Sequence, residues 1–214
     1  MSIPAIVIGA GGHARVLISL LRLVGELKPV GILDDDEARW GEEYDGVPIL
    51  GSASLLKKHH GNAEACVIGI GRNSVRARFF MLARQYGYSL PALVHPSAVV
   101  AADVSLPAGV QLLANSVINP GTKLGENAIL NTGAQADHDN RIGSHVHLHP
   151  AAILAGGVQI GEFTYIGTNA AVNPYLSIGA HSMVGSGSMV TKDIPDGVMA
   201  YGVPARVIRP WDGV

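Results

Sequence analysis

From Val100 to Val190 an aliphatic residue recurs at every sixth position. The series runs Val100, Leu106, Leu112, Ile118, Leu124, Leu130, Ala136, Ile142, Leu148, Leu154, Ile160, Ile166, Val172, Ile178, Val184 and Val190, sixteen positions without an insertion. Ala136 is its only small member. Neither an α-helix nor an ordinary strand has a period of six, so this is an internal repeat, and a repeat governs the whole fold. A second, mostly small series lies two residues ahead: Ala98, Ser116, Thr122, Ala128, Ala134, Ala152, Thr164, Ala170, Ser182 and Ser188. Gly125, Gly143, Gly161 and Gly179 mark a third spacing, of eighteen.

A six-residue unit with one large and one small inward residue makes one flat side of a prism. Three sides close a coil of eighteen residues, and successive coils stack as parallel strands about 4.8 Å apart. Sixteen hexads then give just over five coils, a prism roughly 25 Å tall. The four spaced glycines are expected at one recurring corner, where a residue free to adopt φ > 0 is useful. A plain scaffold is the rival reading of any repeat. Against it stands one interruption: Asp137-His138-Asp139 follows the weak Ala136, and Arg141, His145, His147 and His149 come next. Four of the nine histidines lie within those twelve residues, which points to chemistry in a central coil.

The repeat begins only near residue 94, so an N-terminal domain over residues 1–93 is expected, with the repeat over 94–193 and a tail over 194–214. In the first part, Ala5 to Ile8 is apolar and runs into Gly9-Ala10-Gly11-Gly12-His13-Ala14. A helical pattern follows, with Val16, Leu17, Leu20, Leu21 and Val24 on one face and Gly25 near its end. Further strands are expected at Val30–Leu33, Ala65–Ile70 and Ser89–Val94, and a second helix from Ser74 to about Tyr86. Strands alternating with helices give a small parallel α/β sheet of Rossmann type. The Gly9-x-Gly11-x-x-Ala14 loop is a nucleotide-type fingerprint, whose glycines let backbone approach a phosphate at a helix N-terminus. Asp34 falls twenty residues beyond Ala14, where a ribose hydroxyl would be read. The domain is short of the two halves a dinucleotide needs, so a mononucleotide fits better than NAD. Gly11, Gly12, His13, Asp34, Asp35, Gly71, Arg72 and Asn73 form the candidate nucleotide-side set.

Net charge is −2 and no basic stripe is visible, which argues against a nucleic-acid partner. The single cysteine, Cys66, lies in an apolar run and reads as a buried, inert thiol in a reducing compartment. The start has no basic n-region and no segment is long enough to span a membrane, so a cytoplasmic chain is expected.

Several motifs occur in order: Gly9-Ala10-Gly11-Gly12-His13-Ala14, Asp34-Asp35-Asp36, Gly69-Ile70-Gly71-Arg72-Asn73, His95-Pro96-Ser97-Ala98, Asn131-Thr132-Gly133, Asp137-His138-Asp139 and Gly202-Val203-Pro204-Ala205-Arg206. With them the whole chain resembles the bacterial sugar O/N-acetyltransferases of the sialic-acid O-acetyltransferase type. It is most similar to those that acetylate nucleotide-linked 4-amino-4,6-dideoxy sugars. The resemblance implies a homotrimer of left-handed parallel β-helices, with acetyl-CoA as co-substrate and a nucleotide-linked amino sugar held by the N-terminal domain. It implies that His138 and Asp139 are the catalytic pair, that His147 is a second substrate-side histidine also touching acetyl-CoA, and that the Gly156 amide faces the thioester. One departure is His149, where relatives commonly carry glycine.

A sugar amine is largely ammonium at neutral pH, so acetyl transfer to it needs a base, and imidazole with an unperturbed pKa near 6.5 is suited to that. No serine or cysteine nucleophile stands beside His138, which favours direct attack over an acyl-enzyme. His138 and His147 are half a coil apart and fall on different sides of one prism. If both touch one substrate, they come from neighbouring subunits. In the resembling family CoA lies in the groove between adjacent prisms, which makes Gly167, Gly185 and Lys192 further candidates for acetyl-CoA, with Arg206 in reach of a phosphate. Two rival chemistries remain at this point: O-acetylation of a sialic acid or similar sugar hydroxyl, and a metal-dependent hydratase resembling γ-class carbonic anhydrases. The second needs metal ligands from two separated segments, a spread missing here, so no metal is expected.

Overall fold

A computed structural model describes residues 2–213; Met1 and Val214, the outer ends of the first and last spans above, lie outside the described residues. The chain divides into two compact units, the first ending at Leu93 and the second starting at Val94.

In the first unit β1 (Ile3–Ile8), α1 (Gly12–Val24), β2 (Leu27–Leu33), β3 (Glu43–Tyr44), β4 (Val47–Gly51), α2 (Leu56–His59), β5 (Ala65–Ile68) and α3 (Asn73–Gln85) follow in order. The sheet order is β3-β4-β2-β1-β5, parallel from β4 to β5, with β3 antiparallel at the edge. This is one half of a Rossmann-like sheet, with α1 leaving the carboxyl end of β1. α1 buries Leu17, Ile18, Leu20 and Leu21 and ends at Gly25, whose left-handed φ of 77° lets its N–H bond the Leu21 carbonyl at 2.9 Å. Gly9 turns the chain with φ 93°, and Gly69 lets β5 approach α1, since a Cβ there would fall 2.6 Å from that of Ala14. Where a strand is expected from Ser89, that residue makes only an isolated bridge to Ala65. Pro91, two residues on, has no N–H to extend a ladder. Cys66 is buried, and burial pushes its thiol pKa far up, out of the reactive range.

The second unit is a left-handed parallel β-helix of two-residue strands. Strands eighteen residues apart pair in register along three faces. The first face stacks Gln111–Leu112, Ile129–Leu130, His147–Leu148, Tyr165–Ile166 and Met183–Val184. The second stacks Val99–Val100, Val117–Ile118, Gln135–Ala136, Ile153–Leu154, Ala171–Val172 and Met189–Val190. The third stacks Lys123–Leu124, Arg141–Ile142, Gln159–Ile160 and Ser177–Ile178. The sixfold aliphatic series points inward and is buried except at Val100, Leu106 and Leu124, where the first coils leave the end of the prism open. Residues 194–214, read from the sequence as a tail, contain the hairpin Val198–Gly202/Ala205–Pro210, which extends the first face by pairing Met183 with Met199.

The spaced glycines need correction. Gly125, Gly143, Gly161 and Gly179 do not adopt φ > 0. A Cβ on any of them would fall 2.3–2.7 Å from backbone of the next coil, so they are glycine because coils meet there without room for a side chain. Positive φ falls instead on the second residue of each turn, as at Asn127, Asp139, Gly157, Asn169 and Tyr175.

Candidate active site

The glycine loop of the first unit opens a cleft of about 390 Å³ lined by Gly9, Gly11, Gly12, His13, Asp34, Asp35, Gly71 and Arg78, among others. No side chain caps the start of α1, and a Cβ on Gly11 or Gly12 would meet nothing within 4 Å. Uncapped N–H groups and the helix dipole together favour an anion at this point. Asp34 does more structural work than its spacing suggests. Its Oδ2 accepts from the Ala10 N–H at 2.6 Å and its Oδ1 from the Asp36 N–H at 2.9 Å, so its carboxylate clamps the glycine loop. Asp35 holds the turn after β4 by accepting from Ser52 Oγ and the Ala53 N–H. Three residues that the sequence did not single out complete the clamp. Arg39 donates to the Ala10 carbonyl, the Tyr44 hydroxyl to that of Gly11, and Trp40 Nε1 to that of Asp34. Arg72 and Asn73 are not among the cleft-lining residues. Asn73 is buried and accepts at 2.7 Å from the fully buried Arg76, whose guanidinium also holds the Gly71 carbonyl.

In the second unit His138 occupies the turn between the second and third faces. Asp139 follows it with φ 60°, and that left-handed step folds the carboxylate back so that Oδ2 lies 2.9 Å from His138 Nδ1. A carboxylate only accepts, so the neutral imidazole carries its proton on Nδ1 and presents the Nε2 lone pair. The hydrogen bond to Asp139 raises the His138 pKa; desolvation opposes it, and the charges of Asp137 and Asp139 add to the rise. Asp137 accepts from Asn119 Nδ2 and the His138 N–H, both at 2.8 Å, and these bonds lower its own pKa.

Beneath the turn lies Asn140, fully buried. Its side chain donates to the Asp137 carbonyl at 2.5 Å and accepts from the Val158 N–H at 3.0 Å, while its own N–H reaches Thr122 Oγ1. The sequence signal for this support is the one asparagine in a small inward series. Gly156 lies one coil beyond His138. A Cβ on it would fall 2.5 Å from both Cε1 and Nε2 of the imidazole, so the ring rests directly on this glycine. The Gly156 carbonyl accepts from the Tyr175 N–H, and its own N–H makes no hydrogen bond among the described residues.

The remaining candidates sort onto two corners. His138, Gly156 and Lys192 fall on one eighteen-residue column, with Pro174 between the last two, on the corner between the second and third faces. Gly167 and Gly185 share a column with Asn131 and His149, at the other edge of the second face. His147 lies on the first face beside them and is buried, 3.1 Å from Asn131 Nδ2 and with its ring 4.2 Å from that of His149. His145 lies on the third corner, against Asn127 and Phe163. Arg206 sits in the terminal hairpin opposite Tyr201. Among the described residues no three His, Cys, Asp or Glu side chains are grouped to hold a metal ion, and no helix is long and apolar enough to cross a membrane.

Residues 5–82 match the family model of the PglD N-terminal domain. A crystal structure of a variant of perosamine N-acetyltransferase from Caulobacter crescentus, in complex with CoA and GDP-perosamine, is 41% identical with a TM-score of 0.91 and covers 96% of this chain and 97% of its own. The acetyltransferase domain of PglB from Neisseria gonorrhoeae is 32% identical, TM-score 0.90, over 97% of this chain and all of that one. WeeI from Acinetobacter baumannii is 27% identical with a TM-score of 0.82, again over 97% of this chain and all of that one. Among curated relatives, the acyl-carrier-protein–UDP-N-acetylglucosamine O-acyltransferase of Burkholderia thailandensis is 42% identical over 85 residues, 40% of this chain. The match spans about a third of the length of that relative, at 32%.

Proposed function

From the premise that this chain belongs to the bacterial sugar N-acetyltransferase family of perosamine N-acetyltransferase and the PglB acetyltransferase domain, we propose that it transfers acetyl from acetyl-CoA to the amine of a nucleotide-linked 4-amino-4,6-dideoxy sugar. The observation that carries this reading is the His138–Asp139 pair with its imidazole resting on Gly156, whose N–H has no partner among the described residues. His138 Nε2 takes a proton from the sugar ammonium and releases it to solvent; the freed amine then attacks the thioester carbonyl, and Nε2 takes the second proton from the attacking nitrogen. The tetrahedral oxyanion is stabilised by the Gly156 N–H. The C–S bond then breaks, and the CoA thiolate takes the proton from the imidazolium, which Asp139 has held in orientation throughout. The nucleotide end of the acceptor occupies the glycine-loop cleft, its phosphates at the start of α1.

The second face supports a trimeric assembly. Val99, Ile153 and Met189 stand exposed along it, at 59%, 41% and 36%, with Val117 and Ala171 half-buried between them. An apolar stripe of this kind marks an interaction surface. A cyclic trimer that buries it brings the His138 corner of one chain to the His147 and Gly167 edge of the next, so one donor is held by both. Lys192 on the first corner is placed for a phosphate of CoA. The test is His138→Ala. Turnover is expected to fall by about 10²–10⁴-fold, with CoA binding by calorimetry unchanged. Normal turnover in this variant would refute the base assignment.

A further inference from the structure

Tyr175 stands on the His138 corner, one coil beyond the Gly156-Gly157 pair. Its backbone is left-handed, φ 61°, a conformation that bulky side chains rarely adopt. Its N–H donates to the Gly156 carbonyl at 2.9 Å. The Cδ1–Cε1 edge of the ring lies against the glycine turn: a Cβ on Gly157 would fall 2.5 Å from Cδ1 and 2.7 Å from Cε1. The residue is nevertheless 77% exposed, so core packing does not account for it. The Gly156-Gly157 turn is thus met by the His138 imidazole at its first glycine and by the Tyr175 ring at its second.

We propose that Tyr175 is a donor-binding residue, the wall against which the thioester end of the pantetheine arm lies. The proposal rests on the acetyl-transfer reading above. A pantetheine arm alternates methylene segments with amides. An aromatic face takes the first by dispersion, and a phenol hydroxyl at its rim can meet the second. Glycine at 157 is what lets the ring lie close to the turn. A thioester between ring and imidazole has its carbonyl over the Gly156 N–H, where the oxyanion must form. Tyr175 therefore orders the donor and leaves the acceptor untouched.

Tyr175→Asn tests this, because asparagine tolerates the left-handed backbone better than most residues. Its CoA Kd by calorimetry and its acetyl-CoA KM are expected to rise about tenfold, with acceptor KM and Tm unchanged. Tyr175→Phe, which keeps the ring, is expected to stay within about threefold of wild type. A Tyr175→Asn protein with wild-type CoA Kd and acetyl-CoA KM would overturn the proposal alone. So would a defect confined to acceptor KM, which would put the ring on the acceptor side. Wild-type protein that binds no CoA would overturn both the proposal and the reading beneath it.

Discussion

Substituting Gly156 by alanine isolates the contact on which the proposed chemistry depends. The added Cβ would sit 2.5 Å from two atoms of the His138 ring. Carbon atoms settle at about 3.5–4.0 Å, so the imidazole must move by about 1 Å or more. The His138 side chain is 49% exposed and has solvent to move into, so relief is easy and folding is spared. Gly156 lacks a positive φ, which makes alanine acceptable to the backbone. Gly→Ala at a compatible site stabilises by about 0.4–1 kcal/mol through the unfolded chain, so Tm should hold or rise slightly. The rate should not hold. A misplacement of about 1 Å can cost about 10²-fold, and the whole base contribution of about 10²–10⁴ sets the upper bound. The assay is thiol release from acetyl-CoA at saturating acceptor, paired with a thermal melt. A loss of about 10² in kcat, about 2.7 kcal/mol of barrier, with an unchanged Tm fits the geometry. Wild-type kcat in Gly156→Ala would refute the placement of the base on this glycine.

Asp139→Asn removes the largest cause of the raised His138 pKa. The neutral imidazole is the acting form, so rate climbs as pH rises through that pKa; in the variant the climb should move to lower pH while the plateau falls about 10²-fold or more, read from a kcat/KM profile. Asn140→Leu leaves the buried Val158 N–H unpaired, at about 1–3 kcal/mol, and removes one of the two donors to the Asp137 carbonyl, the other being Thr122 Oγ1; a lowered Tm checks it. Ile153→Glu charges the apolar second face and should give a folded monomer with native circular dichroism and no turnover, read by light scattering and thiol release.

The prism was legible because its inward positions obey one arithmetic rule across sixteen hexads, and the strand pairing reproduces that rule at every eighteenth residue. The handedness came from resemblance, since spacing carries no chirality. The periodic glycines were visible but misassigned: spacing says that a side chain is unwelcome, and only coordinates distinguish crowding from φ. The Asp137-His138-Asp139 turn announced itself as a break in the pattern. Its support did not, because Asn119, Thr122 and Asn140 lie up to eighteen residues from the groups they bind. In the first unit the glycine loop was plain, whereas the clamp of Arg39, Trp40 and Tyr44 reaches it from a segment with no periodic signature. Asp34 fits a ribose by spacing, yet its two oxygens are engaged by backbone of its own loop and its neighbour. Tyr175 had no sequence signal, since an exposed turn residue in a repeat looks like any other.

Thiol release from acetyl-CoA, measured against UDP-, GDP- and dTDP-linked 4-amino-4,6-dideoxy sugars with free sialic acid alongside, tests the central claim most directly. Rapid release with one nucleotide-linked amino sugar, and an N-acetylated product by mass spectrometry, is the predicted result. Release with the free sugar alone would contradict it, moving the acceptor to a hydroxyl and leaving the glycine-loop cleft without a role in the reaction.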